Sequence, residues 1–309
     1  MNYRFGDIVL ASDFRCSQLP EVATVQPDLE FHVIRSASLP RGQRWDHAWK
    51  APRGDVALQC ARDDETYRLG MPGLATFTID PLADSIACYP AGDTSATTIE
   101  HLLIDQVLPR VLAHRGRLVL HGGAVETPTG ALLFLGDSGA GKSTLCGAFA
   151  QAGHRVLGDD GVMVREGILG GFELLPTYPG LRLLPESLAF LYDDGMPPSL
   201  PVADHTPKRR IEPPAAATGT ARLRAIYALD RGNGIAIAEV KGASAILALV
   251  KSSFHLHLGD PGRSRAHLES ITGVADTVPI RLLVYPRDFA ALASVLEAVL
   301  VDARAAEAA

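Results

Sequence analysis

Cysteine is sparse in this 309-residue chain, and no two of Cys16, Cys60, Cys88 and Cys146 form a C-x-x-C pair. Four scattered thiols are expected to stay reduced in a cytoplasmic protein and to pack as small hydrophobes. No run of about 18 apolar residues is present, which argues against a membrane span. The N-terminal stretch MNYRFGDIVLASDF carries acidic residues where a signal peptide needs an apolar run. No long basic run occurs either, and 29 basic against 35 acidic residues leave a net charge of −6. That balance argues against a nucleic-acid-binding surface while leaving room for a local basic pocket. Internal repeats are absent. What remains is a chain 47% apolar, enough for a substantial core in one large domain or two modest ones.

One stretch organises the rest. Gly136-Asp137-Ser138-Gly139-Ala140-Gly141-Lys142-Ser143-Thr144 fits the G-x-x-x-x-G-K-[ST] phosphate loop without a forced match. Ala131–Leu135 before it reads as a buried strand, and Thr144–Ala152 after it as a helix stopped by Gly153. Glycines let successive N–H groups turn inward around phosphate oxygens, and the helix N-terminus adds partial positive charge. Residues 136–144 are therefore expected to bind the nucleotide. Lys142 would neutralise the β- and γ-phosphates, and the Ser143 hydroxyl would hold Mg²⁺.

Residues 1–96 read as a β-rich accessory domain for substrate recognition. Strands are expected at 8–10, 31–34, 56–60, 66–69, 74–79 and 85–89, with turns at Arg41-Gly42, Pro52–Asp55, Met71–Gly73 and Asp80-Pro81. Trp45 and Trp49 stand at helical spacing and read as packing residues. The remaining residues, 97–309, read as an α/β phosphate-loop domain. It opens with a helix over 97–114 that Pro109 would kink. A strand over 117–126 carries His121 and turns at Thr127–Gly130 into the phosphate-loop strand, so His121 and the loop belong on adjacent antiparallel strands. After the loop helix, the strand Arg155–Leu157 ends at Asp159-Asp160. A strand end beside a phosphate loop faces the triphosphate. One carboxylate would hold Mg²⁺, and the other would take a proton from an incoming hydroxyl.

Residues 191–221 are rich in proline, alanine and glycine and read as a long mobile loop. Its middle, Lys208-Arg209-Arg210, is either a solvated face or a lid bringing positive charge to phosphate, with Lys208 the candidate contact. Beyond it the order is β-β-α-α-β-α, with elements near 224–230, 235–240, 244–253, 263–273, 279–285 and 289–303. His255 and His257 share a face of an extended segment without a third ligand nearby in sequence, so they read as structural.

The motifs LVLHGGAVE, FLGDSGAGKSTL and GHRVLGDD, spread over about residues 101–165, resemble the catalytic domain of HPr kinase/phosphorylase and its relatives. The resemblance implies a fold shared with phosphoenolpyruvate carboxykinase, a mixed sheet around the phosphate loop. It implies that Asp159 is the general base, that Asp160 helps bind Mg²⁺, and that His121 supports the base. It also implies homo-oligomers. The family's glycine-rich signature downstream of the paired Asp is missing. In its place stands Leu175–Ser187 (LPTYPGLRLLPES), which resembles divergent HPr-kinase-related proteins of peptide-modification settings, including kinases of lasso-peptide precursors. Within that run Arg182 either meets phosphate or forms a salt bridge at a strand edge. The expected activity is an ATP- and Mg²⁺-dependent kinase acting on a serine hydroxyl of a peptide or small protein. The alternatives are a kinase of a small metabolite hydroxyl and a non-catalytic nucleotide-binding regulator. Neither nucleic acid nor membrane is expected as a partner.

Overall fold

In the first ninety residues apolar side chains alternate with polar ones, the period that sends successive side chains to opposite faces of a sheet. In the computed structural model the run Ala75–Ile79 buries Ala75, Phe77 and Ile79 and leaves Thr76 and Thr78 half-buried. The structure describes all residues except 24–25, 36–43, 52–53, 64–65, 179, 194, 214–218 and 306–309. The expected turn at Arg41-Gly42 and the first half of that at 52–55 lie outside the described residues.

Eight strands make the first sheet: β1 (Asn2–Phe5), β2 (Ile8–Ser12), β3 (Leu29–Val33), β4 (His47–Lys50), β5 (Val56–Asp63), β6 (Thr66–Met71), β7 (Ala75–Ile79) and β8 (Ser85–Pro90). Their order is β1-β2-β3-β8-β7-β6-β5-β4, antiparallel except where β3 runs parallel to β2 and β8. Phe31 and Phe77 stack in its core with centroids 6.4 Å apart. Trp49 lies on β4, not on a helix, and the Arg110 guanidinium sits 5.6 Å over its ring.

The expected helix is broken into α1 (Ala96–Leu102), a π-turn over Leu103–Val107, and α2 (Leu108–His114). Pro109 is the cause: it has no N–H for the Asp105 carbonyl four residues back, and its ring crowds that group. The compact units divide after Gly116, not at residue 96. Glu100 explains why the helix belongs with the first sheet, since its carboxylate accepts from Ser17 Oγ (2.9 Å) and Gln18 N (2.6 Å). Residues 203–206 and 255–264 also belong to this first unit.

The second unit is a mixed α/β structure. Its strands are β9 (Leu118–Leu120), β10 (Gly122–Thr127), β11 (Gly130–Leu135), β12 (Arg155–Gly158), β13 (Val162–Glu166), β14 (Phe172–Leu175), β15 (Leu181–Leu183), β16 (Ser199–Ala203), β17 (Thr206–Ile211), β18 (Ala221–Arg231), β19 (Ala236–Val240) and β20 (Ile280–Tyr285). Its helices are α3 (Lys142–Gln151), α4 (Pro185–Leu191), α5 (Ala243–Ser252), α6 (Pro261–Thr277) and α7 (Leu292–Ala305), with Ala203 of β16, Thr206 of β17 and the first turn of α6 counted in the first unit. Nine strands form a mixed sheet in the order β12-β10-β11-β18-β14-β13-β9, with β20 parallel to β18 and β19 antiparallel to β20. Alternate residues of β11 feed two cores. Leu132 and Phe134 pack with Leu145 and Phe149 of α3 and Val295 and Val299 of α7. Leu133 and Leu135 pack with Leu249 of α5 and Ile271 and Val274 of α6. The segment 191–221 is not one long loop. It contains β16 and β17, which join β15 in a three-stranded sheet of order β15-β17-β16, burying Val202, Arg210 and Ile211.

Candidate active site

Topology brings the three sequence motifs to one sheet edge. β10 lies between β11 and β12 and is antiparallel to both, so β11 and β12 end where β10 begins. Gly122 pairs with Leu135, and Ala124 with Gly158. The glycine-rich segment 136–141 leaves the end of β11, Asp159-Asp160 leave the end of β12, and His121 precedes β10. His121 thus sits in the break between β9 and β10 rather than mid-strand.

The loop has the backbone its glycines permit. Gly139 and Gly141 take φ values of +78° and +96°, the left-handed region, and α3 starts at Lys142. Lys142 is buried, and its Nζ folds back to donate to the Gly136 carbonyl at 2.7 Å and the Asp137 carbonyl at 3.1 Å. Burial lowers its pKa, opposed in part by Asp160 and Asp159.

The two adjacent aspartates have different surroundings. Asp159 is fully buried. Its Oδ1 accepts from Ser143 Oγ at 2.8 Å and its Oδ2 from the Arg182 amide at 2.9 Å. Desolvation, with Asp160 adding to it, pushes its carboxyl up to about 6. Asp160 instead lines a cavity of about 90 Å³ together with His121, Lys142, Arg182, Lys208 and the loop. Its Oδ2 lies 3.8 Å from Lys208 Nζ and 3.7 Å from Arg182 Nη1. Burial alone would raise this carboxyl, but Lys208, Arg182 and Lys142 outweigh it and hold it well below the usual carboxylate range.

Asp160 also has φ +67°, a left-handed conformation that Asp tolerates at some cost. His121 holds it there, with Nδ1 2.8 Å from the Asp160 carbonyl oxygen. A carbonyl only accepts, so Nδ1 carries the proton and Nε2 of the neutral ring is the acceptor. Burial first, then the Lys142 charge, lower the His121 pKa and favour that neutral form.

Arg182 and Lys208 reach the site from β15 and β17, which pair Arg182 with Arg210. Lys208 and Arg210 share one face of β17, and Arg210 is buried, so this basic cluster is not a solvated face. Arg209 turns away, donating to Ser199 Oγ and Ser199 O at 2.7 Å each. Sequence reasoning missed Thr177 and Tyr178. Thr177 Oγ1 donates to the Gly161 carbonyl at 2.7 Å, and the Tyr178 hydroxyl donates to the Asp159 carbonyl. The Arg182 guanidinium lies 4.5 Å over the Tyr178 ring and donates to its hydroxyl. Both residues brace the turn carrying the carboxylates. The Tyr-x-x-x-Arg spacing inside LPTYPGLR is the signal that could have found them.

Ser143 and Asp159 present hard oxygen donors beside the phosphate loop, a set that suits Mg²⁺ held jointly with substrate phosphates. Among the described residues no group of three or more His, Cys, Asp or Glu side chains could hold a metal by itself. Nor is any helix of the described residues long and apolar enough to cross a membrane. His257 bonds Asp46 at 3.1 Å within the first unit, in keeping with a structural role.

No protein-family model matches the chain. No curated protein matches it either. Among solved structures it is similar to the Hpr(Ser) kinase/phosphatase from Coxiella burnetii, at 10% identity and a TM-score of 0.33, over 62% of this chain and 99% of that one.

Proposed function

We propose that the chain is an ATP-dependent kinase that transfers the γ-phosphoryl group to a serine hydroxyl of a peptide or small protein. One observation carries the reading: the glycine-rich loop with Lys142, the Asp160 carboxylate, His121 and two further cations, Arg182 and Lys208, meet around one cavity. A nucleotide-binding regulator would need the loop and Lys142 but not a carboxylate opening toward the phosphates. The choice of a peptide serine rests on the LPTYPGLRLLPES run and its resemblance to peptide-precursor kinases.

In this proposal the two carboxylates exchange the roles that the resemblance implies. Asp159, bonded to the loop serine, is on the metal side with Ser143. Asp160, on the cavity wall, faces the acceptor. Mg²⁺, when bound, supplies charge neutralisation on the phosphates. The acceptor oxygen forms its bond to the γ-phosphorus as the bond to the bridging oxygen breaks. The serine proton passes to Asp160, and ADP leaves. A strongly ionised carboxylate suffices there, because the transition state is loose and the protein contributes chiefly positioning and charge. Lys142, Lys208 and Arg182 supply that charge, and His121 fixes the Asp160 backbone.

Incubation with γ-labelled ATP and serine-containing peptides tests the proposal. Wild-type protein should label serine. Asp160→Asn should bind ATP with unchanged Mg²⁺ dependence and transfer nothing. Asp159→Asn should weaken the Mg²⁺ dependence of binding. Wild-type transfer by Asp160→Asn would refute the base assignment, and neither transfer nor hydrolysis by the wild type would refute the kinase.

A further inference from the structure

A second cavity, of about 230 Å³, lies against the outer side of the phosphate loop. It shares Gly139, Gly141, Thr144 and Leu184 with the first cavity, so the two adjoin along the loop. Its remaining walls differ in kind. Tyr285, Phe289 and Leu292 give apolar surface, and Glu186 and Asp288 bring carboxylates. We propose that this cavity takes the nucleoside of the triphosphate donor, stacking the base on the Phe289 wall.

The proposal rests on the kinase reading for the phosphates and adds where the rest of the donor goes. A triphosphate seated with its γ end near Lys142 and Asp160 leaves the loop past Thr144, in the first turn of α3. Thr144 is a wall of both cavities. Phe289 is backed by Phe190, with rings stacked at 4.7 Å and 15°, which gives the wall a rigid aromatic face. A carboxylate only accepts hydrogen bonds, so Glu186 and Asp288 complement the N–H donors of a base edge. The cavity is also tied to the loop. The Tyr285 hydroxyl donates to the Ala140 carbonyl at 3.0 Å, and the Arg287 guanidinium donates to the Gly139 carbonyl. A Cβ at Gly141 would fall 2.6 Å from the Tyr285 hydroxyl oxygen, so the loop lies directly on this wall.

The test compares two probes, Mg²⁺-ATP and Mg²⁺-tripolyphosphate, by calorimetric titration of the full chain. ATP should bind at least about tenfold more tightly, the scale of one base stacked on an aromatic side chain. Phe289→Ala should remove most of that advantage and leave tripolyphosphate binding within about twofold. Photolabelling of the wild-type protein with 8-azido-ATP should mark peptides containing residues 184–187 or 285–292, which keeps the test valid should the variant fold poorly. Equal affinity for both probes, equal loss of both in Phe289→Ala, or labelling elsewhere would overturn the nucleoside site while leaving the phosphate loop intact. Failure of the wild type to bind either probe would overturn the kinase reading and this inference with it.

Discussion

Asp159→Asn should make the ligand-free protein more stable at neutral pH while abolishing its activity. Asp159 is fully buried, and desolvation places its ionisation near 6 instead of the 3.8 of an ordinary aspartate. The folded state therefore holds a proton that the unfolded chain releases. Stability linked to this group is fully present below the unfolded value and falls as pH rises from about 4 through about 6. Above that window the charged carboxylate costs about 3 kcal/mol at about 1.4 kcal/mol per pH unit. Asparagine removes the cost and keeps one acceptor for the Arg182 amide, while its NH₂ can donate to Ser143 Oγ. Imperfect geometry at those two bonds would take back about 1 kcal/mol. The expected net gain is about 2 kcal/mol at pH 8, passing through zero between about pH 4 and pH 5 and reversing sign below that. Urea denaturation of both proteins across this range measures it. Saturating Mg²⁺-ATP should reverse the order by stabilising the wild type more than the variant. A variant less stable than wild type at pH 8, or a difference independent of pH, would refute the reasoning.

Three further outcomes follow from the geometry. Lys142→Ala should abolish phosphoryl transfer and remove the rise in thermal midpoint that Mg²⁺-ATP gives the wild type, both read on the same preparation. Lys208→Ala should lower kcat by about 10²-fold. Because it removes the cation 3.8 Å from Asp160, it should also move the acid limb of the pH–rate profile upward, with Lys208→Arg restoring part of both effects. Gly123→Ala should destabilise the fold by about 1–3 kcal/mol, since its Cβ would fall 2.6 Å from Cys146 Sγ on α3. Cys146→Gly in the same background should relieve most of that loss in a double-mutant cycle.

What the sequence made legible was local. The glycine-rich segment 136–144 is contiguous, and its flanking strand and helix could be read before their place in the sheet. The β-hairpin β16–β17 was hidden because Pro201 and Pro207 interrupt the pattern a strand normally shows. Its identity comes from the pairing of β17 with β15, whose closest partners in sequence, Leu183 and Arg209, are 26 residues apart. The helix over 96–114 was legible as a helix but not as part of the first unit, since that depends on Ser17 and Gln18 meeting Glu100.

The carboxylate pair shows the same limit at the scale of one residue. Adjacent residues at a strand end point to opposite sides. A sequence can therefore place both aspartates beside a phosphate loop without telling which one faces the donor's metal and which faces the acceptor. Here Asp159 is fully buried and meets Ser143 on α3, whereas the left-handed backbone at Asp160 places the second carboxylate on the cavity wall. His121 and Tyr178 fix that turn through the Asp160 and Asp159 carbonyls. In the proposed reaction the division of labour between two identical side chains would thus be set by backbone geometry, through residues from three separate stretches of the chain.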